Sequence, residues 1–348
     1  MNSLPRTVAI ALGCLLASVL FFSPHLWLMR HYVPGSFEWD RAHTFLLQCA
    51  QPLRQDIETA MRWRLLPPLV CRGLGLKGNA PLVAPWSGAF AATAYVAELF
   101  RRRRPDTRFI VGGTLLFVST SAILVPTGWL GMNDAWVWLG LLAVAFGRSA
   151  WALPVACLLC PWIDERFLLG LPLAWCVRCL DRSTPLWTPG ARGFLALAPY
   201  AVLRLLFGGD PLTNPAERTF LAASSSHEIL PFVPLGWWMG LRAAWFPVAF
   251  AAGTEAPLRR RLVAALCLAA GLIVCVALAS DLSRSAAMAI PAALLGCFEL
   301  NRRYPGHAPR LVLILGCLNL LLPAAHVVYT KIALINPLPL ELLRLLRP

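Results

Sequence analysis

The chain of 348 residues is short of charge, and within that charge it is short of acids and of lysine. Charged residues make up 14% of the sequence, and 17 acidic residues stand against 31 basic ones, of which only Lys77 and Lys331 are lysines. So little charge excludes an ordinary soluble domain of this length. The sequence also lacks a phosphate-cradling glycine loop, a pair of histidines on one helix face and a nucleophile elbow. The common motifs of nucleotide hydrolysis, zinc proteases and α/β hydrolases are therefore missing.

Hydrophobic residues, at 58% of the sequence and a mean hydropathy of +0.64, dominate what remains. About eleven apolar segments alternate with short polar connections, which is typical of a polytopic membrane protein. We therefore predict an all-α fold with nine to eleven transmembrane helices in a single domain over residues 1–348. The predicted segments are 8–29, 80–100, 109–130, 135–146, 150–162, 167–177, 194–207, 229–252, 262–279, 285–300 and 311–329.

Three central segments, 135–146, 150–162 and 167–177, are shorter than the roughly 20 residues that a helix needs to cross a bilayer. Broken or tilted helices are tolerated in a membrane where protein or water covers their backbone. The sequence therefore predicts that these segments line a cavity.

Basic residues accumulate on every second connection, and this predicts which side faces the cytoplasm. Lys and Arg are enriched in cytoplasmic loops, so the N-terminus is expected inside, segment 8–29 is expected to be an uncleaved first helix, and the external face is expected to be the active one. We expect such a chain to lie in a bacterial inner (plasma) membrane. The net charge of +14 then reflects membrane topology, and the basic residues can contact anionic lipid headgroups. The charge does not imply a nucleic-acid partner. The basic groups lie at 101–104, 178–182, 259–261 and 302–310.

The first external stretch, about 30–79, contains apolar residues at every fourth position from Phe45 to Met61, interrupted by Pro52. Charged residues lie on the other faces of this stripe. The pattern predicts an interfacial helix that lies on the membrane.

Two carboxylates, Glu38 and Asp40, stand two residues apart at the start of this external stretch. On an irregular loop they could face one divalent ion or one hydroxyl group, and a carboxylate placed there could act as a general base. A solvated acidic loop is the alternative interpretation.

Two arginines, Arg62 and Arg64, flank Trp63 where the chain returns toward the bilayer. Guanidinium groups suit phosphate and pyrophosphate, and this position matches the depth of a lipid-phosphate headgroup. The alternative is interfacial anchoring, with Arg62 paired to Glu58 one helical turn earlier.

Further charged residues lie at the external ends of later segments: Asp134, Asp164, Asp281 and Arg284. Each has an ordinary alternative: a helix N-cap for Asp134, a polar turn for Asp164, and an ion pair between Asp281 and Arg284. Ionisable groups near membrane depth are costly and tend to be functional. Together these residues predict one substrate-binding site on the external face.

The eleven cysteines include two Cys-x-x-Cys pairs, 157/160 and 176/179, at a zinc-ribbon spacing. Their predicted positions on two antiparallel helices keep the four thiols apart, so small buried residues are the better interpretation. Cys49 and Cys71 are predicted to be external, where a disulfide between them is open. His326 is predicted to be a packed or hydrogen-bonded residue.

An uncleaved first helix, an acidic pair in the first external loop, an interfacial helix and many further spans resemble the C-type (GT-C) membrane glycosyltransferases. The resemblance is carried by residues 1 to about 135. It implies sugar transfer from a polyprenyl-phosphate donor to an external acceptor, in envelope glycan or glycolipid assembly. Asp40 would be the base, Glu38 would support it or bind a divalent cation such as Mg²⁺ or Mn²⁺, and Arg64 and Arg284 would hold the donor phosphate.

The chain departs from that family in having no C-terminal soluble domain and no long final external loop. A transporter, flippase or assembly scaffold without catalytic activity remains the alternative function. A transport pathway needs polar groups through the membrane centre, whereas the predicted charges lie mainly at the external side.

Overall fold

The structure is a computed structural model that describes residues 3–30, 37–54, 59–183, 189–207, 227–251, 255–278 and 281–346. Helices dominate these residues, which confirms the all-α prediction at the level of fold class. The described residues also contain one two-stranded sheet, near the C-terminal end of the chain.

In the first half of the chain, the structure describes eleven helices, some long and some short. They are α1 (Ser3–Phe21), α2 (Leu26–Arg30), α3 (Phe37–Ala50), α4 (Thr59–Arg62), α5 (Leu66–Gly73), α6 (Val83–Arg103), α7 (Thr107–Val118), α8 (Ser121–Gly128), α9 (Asp134–Phe146), α10 (Ala152–Leu159) and α11 (Arg166–Asp181). Short 3₁₀ turns at Ala80–Leu82 and Cys160–Trp162 extend α6 and α10.

The second half contains the remaining described helices and the sheet. They are α12 (Ala198–Phe207), α13 (Val233–Leu241), α14 (Trp245–Ala251), α15 (Leu258–Leu278), α16 (Leu282–Ala286), α17 (Ile290–Arg303), α18 (Ala308–Leu321), β1 (Ala324–Val328), β2 (Lys331–Ile335) and α19 (Leu338–Leu346). The 3₁₀ turns here are Pro189–Leu197, His227–Phe232, Arg242–Ala244 and Ala287–Ala289.

The strands β1 and β2 pair antiparallel, with Ala324 opposite Ile335 and Val328 opposite Lys331. The last predicted apolar segment, 311–329, therefore differs from expectation, because its helix ends at Leu321 and its remainder is extended. The Leu322–Pro323 step stops the helix, since proline disfavours helical backbone in the residue before it. Hydropathy alone could not separate this short apolar strand from the end of a helix.

The long predicted segment 229–252 is also divided. It is interrupted at Arg242, whose φ of 51° and ψ of −120° end α13. The Arg242 side chain is fully buried; its Nη1 donates to the Leu322 carbonyl at 2.8 Å, and its guanidinium lies 4.7 Å from the centre of the Phe22 ring. A buried arginine therefore ties the break in this segment to α1 and to the end of α18.

The helices α7 and α8 form one bent unit, with 57° between their axes. Near the bend, the Ser119 hydroxyl donates to the Leu115 carbonyl and the Thr120 hydroxyl donates to the Phe117 carbonyl at 2.8 Å. Hydroxyls that bond to the preceding turn bend a helix, and Pro126 further weakens the regular ladder in α8. The predicted segment 109–130 is thus present, in two pieces.

Judged by length and composition, Leu4–Phe21 is the one described helix that could cross a membrane, and α7 with α8 would be a second if the bent pair is one span. The apolar helices α9 and α18, and α10 with its 3₁₀ extension, are shorter. The number of spans remains a prediction.

Small residues allow several helices to approach closely. A Cβ atom at Gly112 of α7 would lie 2.5 Å from the backbone of Leu313 in α18, and one at Gly316 would lie 2.4 Å from the Gly112 carbonyl oxygen. Such crossings through small residues are typical of helices that pack within membranes.

The bundle has two polar ends. At one end, the C-terminal turns of α6 and α11 meet through the ion pair between Arg103 and Asp181, and Arg178 donates to the carbonyls of Val144 and Gly147, both at 2.8 Å. At the other end lie the N-terminal residues of α9, α11 and α16. At 1.5 Å per residue, the 13 residues of α9 separate the two ends by roughly 20 Å.

Candidate functional site

A buried cluster of three arginines and three aspartates occupies the second polar end. Its members come from the start of α5, α9, α11 and α16, so four separate parts of the chain meet there. We call it the arginine–aspartate cluster, and it consists of Arg64, Arg166, Arg284, Asp134, Asp164 and Asp281.

Asp164 lies at the centre of this cluster, with its side chain 1% exposed. Its Oδ2 atom is 3.0 Å from Nη1 of Arg64, 2.9 Å from Nη1 of Arg166 and 4.0 Å from Nη2 of Arg284. Its other oxygen, Oδ1, accepts a hydrogen bond from the backbone N–H of Arg166 at 2.9 Å, which fixes the carboxylate at the start of α11. The predicted polar turn thus carries a buried carboxylate that three guanidinium groups face.

The other two aspartates are linked to each other through Arg284. Its Nε atom lies 3.1 Å from Oδ2 of Asp134 and 3.0 Å from Oδ2 of Asp281. Arg166 spans the same two carboxylates, at 3.8 Å from Asp134 and 3.5 Å from Asp281. Asp134 is the first residue of α9, where the helix dipole favours a negative charge.

Burial and the neighbouring charges divide the three carboxyl groups into different protonation states. Burial and the charge of Asp164 raise the pKa of Asp134 to about 7, and burial raises the pKa of Asp281 to about 6, against the opposing effect of Arg166. Burial also opposes the ionisation of Asp164, but Arg166 and Arg64 outweigh it and hold its pKa below the usual range. Near neutral pH, Asp164 is therefore ionised. Asp134 and Asp281 have pKa values close enough to neutral that each can gain or lose a proton.

Arg64 connects the cluster to the surface. Its Nη2 atom donates to Oε1 of Glu165 at 2.9 Å, and the Glu165 side chain is 40% exposed. Although burial disfavours a charged guanidinium, Asp164 and Glu165 raise the pKa of Arg64 above its ordinary value. The group stays cationic at every accessible pH and can therefore face an anion at the mouth of the site.

A buried histidine extends the cluster toward the sheet. The Val327 N–H donates to the Ser283 hydroxyl oxygen at 2.9 Å, and this hydroxyl lies 3.0 Å from Nδ1 of His326. The Nε2 atom of the same ring faces Oδ1 of Asp281 at 3.8 Å. If the hydroxyl donates to Nδ1, the neutral ring carries its proton on Nε2, toward Asp281. The sequence-based expectation that His326 is packed and hydrogen-bonded is confirmed.

A small polar cavity of about 20 Å³ adjoins the cluster, enough for one water molecule. Arg64, Asp134 and Asp164 contribute its charged wall, and Gln48 and Asn133 contribute amide groups. A polar atom would therefore fit in this cavity, between α3 and the cluster.

Aromatic side chains and a further arginine form one rim of the site. The Arg204 guanidinium lies 5.2 Å from the centre of the Trp63 ring, and Trp63 lies 6.4 Å from Trp162. Trp162 in turn contacts Tyr200 edge to face at 5.0 Å. Arg204 and Tyr200 lie on α12, which the sequence analysis treated as an apolar segment. Only the fold places them beside Arg64.

An apolar groove of about 600 Å³ opens on another side of the cluster, between α5, α6, α9 and α10. Pro67 and Ile163 line both this groove and the small polar cavity, so the two spaces share a wall. Exposed Val70, Val83 and Val155 form its outer edge, which opens the groove sideways.

Five of the predicted substrate-binding residues are members of the arginine–aspartate cluster: Arg64, Asp134, Asp164, Asp281 and Arg284. The sixth, Arg62, is half-buried at the end of α4, two residues before Arg64. Arg166 also belongs to the cluster, although the sequence predicted no binding role for it. The sequence signal for Arg166 was its position at the start of a short apolar segment.

The predicted catalytic residues, Glu38 and Asp40, lie in the first turn of α3 and not on the predicted irregular loop, and residues two apart on a helix do not face the same side. Their side chains fall outside the described part of the structure. The next residue of the helix is close to the cluster, because the charge of Arg41 acts on Asp281. The Arg41 carbonyl oxygen also lies 3.2 Å from the place where a Cβ of Gly131 would be, and Gly131 has a φ of +76°. The backbone of α3 therefore begins at the edge of the site.

The cluster does not fit a divalent cation. No group of three His, Cys, Asp or Glu side chains among the described residues has the geometry of a metal site. The carboxylate oxygens of Asp134, Asp164 and Asp281 already face guanidinium groups, which repel a metal ion. The expected Mg²⁺ or Mn²⁺ therefore has no support from these three residues.

The chain matches no protein-family model, and no curated protein and no solved structure is significantly similar to it.

Proposed function

We propose that this chain is a polytopic membrane glycosyltransferase that moves a sugar from a polyprenyl-phosphate-linked donor to an acceptor at the external face of a bacterial inner membrane. The observation that carries the proposal is the shared wall between an apolar groove and a charged cavity. A lipid-phosphate substrate has the same two parts, an apolar chain and an anionic headgroup, joined end to end.

Exposed leucine-rich faces support placement in a membrane. The outer face of α1 exposes a large apolar residue at every fourth position, and α15 and α18 expose similar faces. Contiguous apolar surface of this extent is a liability in water and is stable against lipid. These residues are Leu4, Val8, Leu12, Leu16, Leu20, Leu258, Leu262, Leu266, Ile273, Leu311, Ile314, Leu318 and Leu321.

The two polar ends support the proposed orientation. The arginine-rich end contains the C-terminal turns of α6 and α17, with Arg101 to Arg103 on one helix and Arg302 and Arg303 on the other. Arginine-rich ends favour the cytoplasmic side. The arginine–aspartate cluster then lies at the external side, roughly one α9 length away.

The residues of the site have the chemistry that sugar transfer from a phosphate needs. In the proposed reaction an acceptor oxygen bonds to the anomeric carbon, the bond from that carbon to the phosphate oxygen breaks, and the acceptor proton passes to a carboxylate. Arg64 would stabilise the negative charge of the leaving phosphate. Asp40 would take the proton, since it lies beside Arg41 at the edge of the cluster.

The distribution of charge through the bundle supports an enzyme over the alternative transporter or flippase. In α9, no charged residue follows Asp134, and in α11 none lies between Arg166 and Arg178. These two described helices join the polar ends through apolar side chains. A carrier for a polar substrate would need polar groups along that route.

Native mass spectrometry of the protein released from detergent tests the proposal. A polyprenyl phosphate, or its sugar conjugate, should remain bound to the wild-type protein. The adduct should be lost in Arg64→Ala, weakened in Arg64→Lys, and kept in the exposed control Arg310→Ala. It should also be kept in Asp40→Asn, because that carboxylate is proposed to act in transfer and not in donor binding.

Transfer itself is then measured with a labelled donor and a membrane extract as the source of acceptor. Asp40→Asn should bind the donor and transfer no sugar. Equal adducts in wild type and Arg64→Ala would contradict donor binding at the cluster. A wild type that binds the donor, transfers no sugar and moves the lipid between leaflets would contradict the enzyme and support the alternative function of a flippase.

A further inference from the structure

Two cysteines from different helices meet at the side of the site that we place outside the membrane. Cys49 lies in the last turn of α3, and Cys71 lies in α5. We propose that these two residues form a disulfide bond that fastens α3 to α5. The inference rests on the external orientation in the proposed function and is independent of sugar transfer.

The fold places the two cysteine side chains next to each other. Both are buried in one small cluster with Phe45, at 5% and 2% exposed, and each thiol is close enough to affect the pKa of the other. The residues that follow each cysteine are also held together, because Nη1 of Arg72 donates to the Ala50 carbonyl at 2.7 Å. This hydrogen bond holds α3 and α5 together next to the two cysteines, which limits the movement needed for bond formation.

The sequence contains a second pair that serves as an internal comparison. The Sγ atoms of Cys176 in α11 and Cys267 in α15 lie 3.8 Å apart. Both residues lie within predicted membrane spans, among apolar side chains. Distance alone therefore does not distinguish the pairs, whereas their compartments do, because disulfides form where thiols meet an oxidising environment.

The reaction is an ordinary thiol–disulfide exchange. Each thiol gives up one proton and one electron, an S–S bond forms between Cys49 and Cys71, and a disulfide-bearing oxidant of the external compartment is reduced to its dithiol. Burial raises the pKa of Cys49 to about 12, so its thiol is unreactive once α3 and α5 have packed. Exchange therefore precedes their closure, while the external stretch is still open.

The test uses the full-length protein in the cytoplasmic membrane of a bacterial host. Cells are quenched with acid, free thiols are blocked with N-ethylmaleimide under denaturing conditions, and the protein is digested with trypsin. Peptides 42–54 and 65–72 each contain one cysteine of the proposed pair. Peptides 167–178 and 262–284 contain the comparison pair.

The expected result is one linked species of peptides 42–54 and 65–72 that separates on reduction, while Cys176 and Cys267 are alkylated. In Cys71→Ser, the Cys49 peptide should be found alkylated. Alkylation of both cysteines in the wild type overturns the proposal. A linked species that forms when the purified protein is then treated with a copper–phenanthroline oxidant would assign the error to the compartment and not to the geometry.

Discussion

The Nη1 atom of Arg64 lies 3.0 Å from the Oδ2 atom of Asp164, although the two residues belong to distant parts of the chain. The pair joins the segment between α4 and α5 to the turn between α10 and α11. Because the Asp164 side chain is almost completely buried, the pair is shielded from solvent, and the loss of one partner leaves an uncompensated charge.

Removal of that partner should destabilise the protein strongly. Arg64→Ala is expected to lower the free energy of unfolding by about 3 kcal/mol or more, whereas the double variant Arg64→Ala with Asp164→Asn should lose less than the sum of the single variants. Thermal unfolding in detergent, with all four forms compared, measures the coupling. Additive effects would mean that the two side chains do not interact.

The protonation of Asp281 should make stability depend on pH. Its pKa is raised from 3.8 to about 6 by burial, so the folded protein binds more protons than the unfolded chain between these values. The sign follows from that difference: stability should fall as pH rises from about 4 to about 6, by up to about 3 kcal/mol.

Melting temperatures measured across this pH range check the prediction. Asp281→Asn should reduce the slope, and Asp134 should keep part of it near pH 7, since burial also raises its pKa. A wild-type melting temperature that rises over the same interval would contradict the protonation states assigned to the cluster.

Filling the apolar groove should block the lipid chain without touching the charged cluster. Val155 lines the groove on α10, and Leu158 on the same helix is similarly exposed but does not line it, which makes the two a matched pair. Val155→Trp is expected to lower the amount of bound polyprenyl phosphate at least about tenfold, for a loss of at least 1.4 kcal/mol of binding energy. Leu158→Trp should bind like the wild type in native mass spectrometry, and equal binding by both variants would remove the groove from the site.

The crossing of α7 and α18 should tolerate no side chain at Gly112. A Cβ atom there meets backbone at 2.5 Å, so Gly112→Ala is expected to push the helices apart and cost about 1–3 kcal/mol. Gly13 in the middle of α1 has nothing within 4 Å of a Cβ, and Gly13→Ala should be neutral or stabilising by up to about 1 kcal/mol. Thermal unfolding of the two variants, side by side, tests the packing.

Loss of the Ser283 hydroxyl should disturb His326 more than the fold. Ser283→Ala removes the acceptor of the Val327 N–H and the contact to the histidine ring, at a cost of about 1–3 kcal/mol for buried groups left without partners. Ser283→Thr keeps the hydroxyl and should be milder. Thermal unfolding of the wild type, Ser283→Ala and Ser283→Thr, measured side by side, tests these contacts.

The charged members of the site were accessible from the sequence because they stand at the ends of apolar segments. Asp134, Asp164 and Asp281 are conspicuous among so few acids, and helices that begin on one side of a membrane bring their first residues to the same level. Arg166 was within reach by the same argument, but a polar turn already explained it.

The remaining parts of the site depend on contacts that no local pattern encodes. Arg204 reaches Trp63 only because α12 returns to the segment between α4 and α5. His326 reaches Asp281 only because the chain becomes a strand after Pro323, and Asp281 pairs with Val328 in an isolated bridge. A short apolar strand and the last turn of a helix have the same hydropathy, so this arrangement stayed hidden.

The hairpin of β1 and β2 has a consequence for how the protein is made. During translation, Arg64, Asp134 and Asp164 are synthesised early. Asp281 and Arg284 follow late, and His326 is synthesised close to the end. If the chain spans a membrane as proposed, insertion of the early helices places these buried charges beside the membrane before Asp281, Arg284 and His326 exist. We expect the nascent chain to hold these residues in contact with the insertion machinery, or with water, until Asp281, Arg284 and the hairpin arrive and complete the cluster.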